Sequence, residues 1–280
     1  MDNTFFTLEQ FNENFAKEMV SASEVYERRK ESGMKDYSLA KYDFVYISDD
    51  KGKLNSLAAF LQSNYNYSKL EIKKQKKHWE LSGEATEFPV DEDNLLYWAL
   101  DLYCKGYEFD CILDGYGAMG DPNNQGFPNM KENSSADYFN LAIDAYNNRN
   151  LGMAIVHFTT SIRIDPSDPD SWYSRGIAKD ELYTWKSARQ DYDKAIELAP
   201  DFVEAIINRA ANKDNAGEYE DALKDYNKAI ELEPENAMAY FNRGNTKYNM
   251  EDRQAACEDW HKAKELGADY AQERIDDNCT

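Results

Sequence analysis

Basic residues are in short supply: 32 Lys plus Arg face 53 Asp plus Glu in 280 residues, a formal charge of −21. A protein that grips nucleic acid by releasing counterions from phosphates needs the opposite balance, so direct nucleic-acid binding is not expected. Long apolar runs are also missing. Nothing approaches the roughly 18 residues of a membrane helix, and Met1-Asp2-Asn3-Thr4-Phe5-Phe6 lacks the basic and apolar regions of a secretory leader. The expectation is a cytoplasmic chain with no membrane partner. The four cysteines, Cys104, Cys111, Cys257 and Cys279, form no C-x-x-C pair, and His78, His157 and His261 make no metal-ligand spacing. Reduced thiols, no metal and no cofactor are expected.

What is plentiful is aromatic: 20 Tyr and 13 Phe supply much of an apolar fraction of 42%, enough for a core. Length favours about two domains. The clearest seam is Asp121-Pro122-Asn123-Asn124-Gln125-Gly126-Phe127-Pro128-Asn129, rich in turn formers. It sets expected boundaries of a first domain over 1–122, a linker over 123–134 and a second domain over 135–280.

The second half is periodic. Pro166, Pro200 and Pro234 are spaced by 34, and the pattern frays at Ala268. A fixed period of this size marks stacked supersecondary units. In four repeats, 135–168, 169–202, 203–236 and 237–270, the eighth position is always small (Ala142, Gly176, Ala210, Gly244). The twentieth is always Ala (Ala154, Ala188, Ala222, Ala256), and the twenty-fourth is always aromatic (Phe158, Tyr192, Tyr226, Trp260). Small residues let two helices approach; large ones fill the gaps beside them. The prolines end the second helix of each unit. On these residues the stretch 135–270 resembles the tetratricopeptide repeat family, departing from it at Leu151-Gly152, at Trp185 and at the missing last proline. Residues Tyr270 to Asp277 read as a polar capping helix for the solenoid end.

Two positions change together. The seventh is Arg175, Arg209 and Arg243 and the twenty-third is Asp191, Asp225 and Asp259, whereas the first repeat has Leu141 and His157. Arg–Asp pairing inside the stack is the expected reason, with a planar guanidinium forming a bidentate pair; presentation of the Arg to a ligand carboxylate is the alternative. The family resemblance implies that positions two, five, six, nine and twelve line a partner groove. Tyr173, Ile207, Phe241, Asn208, Asn242, Asn245, Asp180 and Asp214 are the expected contacts, with Asp170 and Glu204 adding charge. Aromatics and amides suit an extended peptide. The acidic residues favour a neutral or basic one, and disfavour the chaperone-tail clamp that relatives build from Lys and Arg.

In the first half, a capping box of Thr7 and Gln10 opens an amphipathic helix carrying Leu8, Phe11, Phe15, Met19, Ala22 and Tyr26. A strand over Tyr42 to Ile47 and a helix with Leu54, Leu57, Ala58 and Leu61 follow. Two strands around Leu70–Ile72 and Trp79–Ala85 then form a hairpin at Lys76-Lys77. Asp91 or Asp93 caps a second helix that Gly106 is expected to stop, before a last strand over Tyr107 to Leu113. Strand, helix, strand, strand, helix, strand closes into a ferredoxin-like α+β domain. Its end, Gly106-Tyr107-Glu108-Phe109-Asp110-Cys111-Ile112-Leu113-Asp114-Gly115-Tyr116-Gly117 with Asp121-Pro122, resembles the regulator of ribonuclease activity B family, with Tyr116 where that family usually has Trp. The resemblance implies a non-catalytic protein that binds a ribonuclease and modulates its activity or assembly. The repeat extension is not part of the short family form.

No Gly-rich phosphate loop, nucleophile triad or paired His ligands are present. Asp114-Gly115-Tyr116-Gly117 reads as a turn, with Tyr116 as a surface contact. Cys104 and Cys111 read as small buried residues. Lys69, Lys73, Lys74, Lys76 and Lys77 are the one basic cluster, an RNA contact or, on an edge hairpin, a deterrent to strand addition. The leading reading is a protein-interaction protein whose repeats bind a peptide or protein and whose first domain modulates an enzyme. The alternatives are an immunity protein neutralising a basic nuclease toxin, and an enzyme using acidic residues near Asp114.

Overall fold

A computed structural model describes residues 3–118 and 133–279; the seam expected at 121–129 lies outside the described residues. The chain divides into two compact units, Met1–Pro166 and Ser167–Thr280. This division differs from the expected one, because the first of the four repeats belongs to the same unit as the N-terminal domain.

The first unit contains, in order, α1 (Leu8–Glu31), β1 (Ser38–Ala40), β2 (Tyr42–Ser48), α2 (Lys51–Tyr65), β3 (Ser68–Lys74), β4 (Trp79–Glu84), β5 (Phe88–Val90), α3 (Glu92–Glu108), β6 (Ile112–Ala118), α4 (Ser135–Asn147) and α5 (Leu151–Ile164). The capping box forms as expected: the Gln10 N–H donates to Thr7 Oγ1 at 3.3 Å and the Thr7 N–H to Gln10 Oε1 at 2.9 Å. A four-stranded sheet has the order β3-β4-β2-β6, and every neighbouring pair is antiparallel. Strand β2 alternates, sending Tyr42, Phe44, Tyr46 and Ser48 into the core. Burying aromatic side chains of this size stabilises by about 2 kcal/mol each. A small antiparallel pair, β1 with β5, was not foreseen.

Two expectations at the end of α3 need correction. The helix runs through Gly106 to Glu108, and the last strand begins at Ile112. Gly106 does not end the helix; it permits close packing. A Cβ there would lie 2.6 Å from the Cys111 carbonyl oxygen and 3.1 Å from Tyr46 Cε1. The chain turns at Asp110 instead, in a left-handed conformation with φ 54°. The Asp110 carboxylate accepts the backbone N–H groups of Thr4, Phe5 and Phe6 at 3.1, 2.9 and 2.6 Å and pairs with Lys53 at 2.7 Å. The Asp114 stretch is therefore not a turn but strand, with Asp114 the extra residue where Val45 pairs Gly115 and Tyr46 pairs Leu113.

Helix α5 explains why the first repeat joins this unit. Leu151, Met153, Ile155, Val156, Phe158 and Ile162 are all buried, around the whole circumference rather than along one stripe. One side packs on α4 and the other on α3. Gly152 lies against α3, where a Cβ would meet Trp98 Cα at 3.0 Å and Tyr97 O at 3.1 Å. The Tyr65 hydroxyl donates to the Arg149 carbonyl at 2.8 Å. Asp101 is buried in this contact; burial pushes its carboxyl up to about 7, against the pull of Lys105, the Tyr65 hydroxyl and the Gly152 amide.

The second unit holds three helix pairs, α6 (Pro169–Glu181) with α7 (Trp185–Leu198), α8 (Val203–Asn215) with α9 (Tyr219–Leu232), and α10 (Ala237–Asn249) with α11 (Arg253–Glu265), then α12 (Ala271–Asn278). Each pair packs on the next through α7–α8 and α9–α10. The small eighth position is explained by the aromatic twenty-fourth. A Cβ on Gly176 would sit 2.6 Å from Tyr192 Cε1, and one on Gly244 2.7 Å from Trp260 Cδ1. The turns within all four repeats, two-helix units in both parts of the chain, share one left-handed residue: Arg149, Tyr183, Gly217 and Glu251 have φ 61°, 59°, 77° and 67°. Only one of them is glycine.

Cys257 and Cys279 are bonded, with Cα atoms 5.7 Å apart, which corrects the expectation of four reduced thiols. Helix α12 folds back on α11 and brings together two cysteines separated by 22 residues, a proximity that their spacing alone does not reveal. Cys104 and Cys111 are free and buried as expected, and burial pushes the Cys111 thiol up to about 12. Among the described residues no helix is long and apolar enough to cross a membrane.

Candidate functional site

The framework behind the first-helix face is a ladder of ion pairs, and it matches the pairing expectation. In each of the last three repeats the Arg donates twice to the Asp of its own repeat: Arg175 to Asp191 at 2.8 and 2.6 Å, Arg209 to Asp225 at 2.8 and 2.7 Å, Arg243 to Asp259 at 2.8 and 2.6 Å. A lysine one turn further along joins the same carboxylate, Lys179 at 2.9 Å, Lys213 at 2.7 Å and Lys247 at 2.7 Å. These lysines are not among the residues expected from the sequence, although the repeats carry their signal. The eleventh position is Lys179, Lys213 and Lys247 where the first repeat has Ala145, so three positions change together. The remaining guanidinium nitrogen crosses to the preceding repeat, Arg209 to Asp193 at 2.8 Å and Arg243 to Asn227 at 2.6 Å. The arginines are thus committed within the stack.

The expected contacts fall into three groups. Ile207 is fully buried with Val203, Ile206 and Ala210, so it is a core residue and not part of a binding face. Others are half-buried and engaged by neighbours. Asn245 Oδ1 accepts the Trp260 indole N–H at 3.1 Å. Phe241 meets the Tyr270 ring edge-on at 4.8 Å, partly covered by the chain leading into α12. Asp180 accepts the Tyr192 hydroxyl at 2.7 Å and Asn212 Nδ2 at 2.8 Å, and burial raises its pKa. Asp214 Oδ2 accepts from Asn249 at 3.4 Å, while its Oδ1 is buried with no hydrogen-bond partner among the described residues.

The third group is more open. Asp170 and Glu204 are exposed, 34 positions apart on α6 and α8. They lie close enough that Asp170 is raised by partial burial and then by the charges of Asp168 and Glu204. Beside them the Tyr173 hydroxyl accepts from Asn208 Nδ2 at 3.2 Å, and its ring lies 4.8 Å from Phe202. The Tyr173 phenol is raised by burial and by Glu204. Asn242 is half-exposed on α10. The open patch therefore combines two carboxylates, a phenol and amides.

Asn212 is a second residue that the sequence did not announce. Fully buried, it donates to Asp180 and to the Trp185 carbonyl at 2.8 and 2.9 Å and accepts from Arg189 Nε at 2.9 Å. It fastens α8 to α6 and α7. In the first unit, Tyr116 was expected on the surface, but its ring packs edge-on against Trp98 at 5.5 Å and its hydroxyl is buried near Glu18. Asp114 is exposed at the bulge of β6 and is joined to no other carboxylate by a hydrogen bond among the described residues. No group of three His, Cys, Asp or Glu among the described residues is arranged to hold a metal ion.

A family model described as TPR repeat matches residues 215–250. The match runs from the end of α8 through α10, and helix pairs of the same 34-residue period flank it. No curated protein sequence matches the chain. Among solved structures, MamA 41-end from Desulfovibrio magneticus RS-1 is 22% identical, over 51% of this chain and 86% of that one, with a TM-score of 0.45. The first TPR of Spaghetti (RPAP3), bound to the HSP90 peptide SRMEEVD, is 23% identical over 42% of this chain and 93% of that one, TM-score 0.41. The Arabidopsis OM64 TPR domain is 23% identical over 41% and 96%, TM-score 0.41.

Proposed function

We propose that the second unit binds an extended neutral or basic peptide along its first-helix face. The observation that carries this reading is the exposed pair Asp170 and Glu204 beside the Tyr173–Asn208 hydrogen bond. Two carboxylates attract a cationic side chain, and the neighbouring amide and phenol satisfy a peptide backbone that would otherwise lose its water. The arginines that would attract an acidic tail are held by Asp191, Asp225 and Asp259. The N-terminal domain fits a ferredoxin-like module: β6, β2, β4 and β3 stand in the order 4-1-3-2 of the strand-helix-strand-strand-helix-strand series. Its part in this proposal is to modulate the enzyme that the recruited partner brings, with a ribonuclease indicated by the resemblance of residues 106–122 alone. The Cys257–Cys279 bond favours an oxidising compartment over the cytoplasm expected from the sequence.

The test is a titration of the full chain with labelled peptides that differ only in charge. A Lys-containing peptide should bind more tightly than its Glu counterpart, and Asp170→Asn with Glu204→Gln should weaken it about tenfold. Preference for the Glu peptide, or no change in the double variant, would overturn the assignment.

A further inference from the structure

The first unit carries a surface of opposite charge. Strand β3 is an outer strand: among the described residues it pairs with β4 alone. Its residues Ser68, Lys69, Glu71, Lys73 and Lys74 are exposed, as are Gln75, Lys76 and Lys77 in the turn that follows. Across from them, the Trp79 ring holds the ammonium groups of Lys51 and Lys74 at 5.2 and 4.7 Å. Lys51, Lys74, Lys76 and Lys77 have no carboxylate within ion-pair distance among the described residues, whereas Lys30, Lys41, Lys53, Lys69, Lys73 and Lys105 of the same unit each reach one. In a chain of charge −21, four unpaired cations gathered at one hairpin and its flank stand apart from the rest of the surface.

We propose that this hairpin edge docks an acidic extended peptide, which adds to the sheet as a strand beside β3. Beyond the irregularity between Ser68 and Glu71, where Lys69 is left-handed with φ 52°, the outer edge from Glu71 to Lys74 offers backbone N–H and C=O groups at the strand spacing, and these supply affinity without regard to sequence. Lys74, Lys76 and Lys77, with Lys51 held against Trp79, supply selectivity. They repel basic strands, lose hydration without compensation against neutral ones, and complement Asp and Glu side chains. Single-stranded nucleic acid fits the site less well. Its bases need open aromatic faces, and the aromatic ring at this place, Trp79, already carries two ammonium groups. The surface belongs to the first unit and takes a partner of the opposite charge to that proposed for the second, so it stands or falls independently of that reading.

The experiment uses the full chain and three labelled probes: a peptide of alternating Glu and Val, its Lys-Val counterpart, and an oligouridylate. The Glu-Val peptide should bind saturably and the Lys-Val peptide should not compete for the site. Added salt should weaken binding, and Lys74→Glu/Lys76→Glu/Lys77→Glu should weaken it at least about tenfold. Backbone amides of β3 should gain hydrogen-exchange protection in the complex, and Glu204→Gln should leave the affinity unchanged. A milder pair, Lys76→Gln/Lys77→Gln, serves if the triple variant loses its circular-dichroism signature. Failure of the Glu-Val peptide to bind, or binding without protection of β3, overturns the proposal. Oligouridylate binding that the lysine variants abolish also overturns it, and assigns the tip to nucleic acid.

Discussion

Arg209 and Asp225, sixteen residues apart, face each other across one repeat through two parallel hydrogen bonds of 2.8 and 2.7 Å, and Lys213 closes on the same carboxylate at 2.7 Å. The site is mostly withdrawn from water, and removing Arg209 leaves the Asp225 carboxylate with Lys213 alone. Arg209→Leu should lower the stability of the second unit by about 2 kcal/mol. The first repeat shows what a compatible replacement looks like: Leu141, Ala145 and His157 occupy the corresponding positions. Arg209→Leu/Lys213→Ala/Asp225→His should therefore recover most of the loss in urea denaturation. A triple variant no better than the single one would show that the ladder does not act as a unit.

The left-handed turn residue offers a change in the other direction. Glu251 has φ 67° and is exposed, in a place that Gly217 fills in the repeat before it. A side chain in this conformation costs about 1 kcal/mol. Glu251→Gly should raise the melting temperature by a few degrees in calorimetry.

Two aspartates of the first unit respond to pH with opposite signs. Asp101, near 3.8 when unfolded, is pushed up to about 7 by burial. The stability it contributes by holding its proton is complete below about pH 4 and is lost as pH rises through 7. Going from pH 5 to pH 8.5 should lower the stability of this unit by on the order of 2 kcal/mol, and Asp101→Asn should flatten that slope. Asp110 is the reverse. Burial opposes its ionisation, but Lys53 and the amides of Phe6, Thr4 and Phe5 outweigh it and hold the carboxyl down at about 2. Its contribution is present above about pH 4 and fades as pH falls through 2. Asp110→Asn should thus be destabilising at pH 6 and nearly neutral at pH 2.

The bond between Cys257 and Cys279 predicts two titratable thiols, not four, in unreduced denatured protein. Closing a loop of this length stabilises by about 3 kcal/mol. Cys279→Ser should leave α12 open to early proteolysis, read as a C-terminal clip in limited trypsin digestion.

The repeat framework was legible because the chain contains its own comparison. Four copies, one of them deviant, exposed the Gly176–Tyr192 complementarity and the Arg209–Asp225 pair without any relative. In the N-terminal domain, the four strands of the larger sheet and the two helices between them were legible from alternation and turns, whereas the short β1–β5 pair was not. Its last boundary was not, because Gly106 is required by the nearness of Cys111 and Tyr46, and a residue kept small for close packing looks the same in sequence as one that ends a helix. Among the candidate contacts, Tyr173 and Asn208 lie on the open face, but nothing local distinguished Ile207, whose surroundings are set by neighbouring helices. The reach of α5 was written in its own composition. Leu151-Gly152-Met153-Ala154-Ile155-Val156 has no polar side, and such a helix must be enclosed.

That enclosure fixes where the polypeptide can be divided. A fragment ending at residue 118 would leave the flank of α3 around Tyr97 and Trp98 without the helix that shields it, and should form oligomers or precipitate as it is produced. A fragment ending at Pro166 keeps its shield, so the natural cut falls one repeat later than the arithmetic of thirty-four would place it.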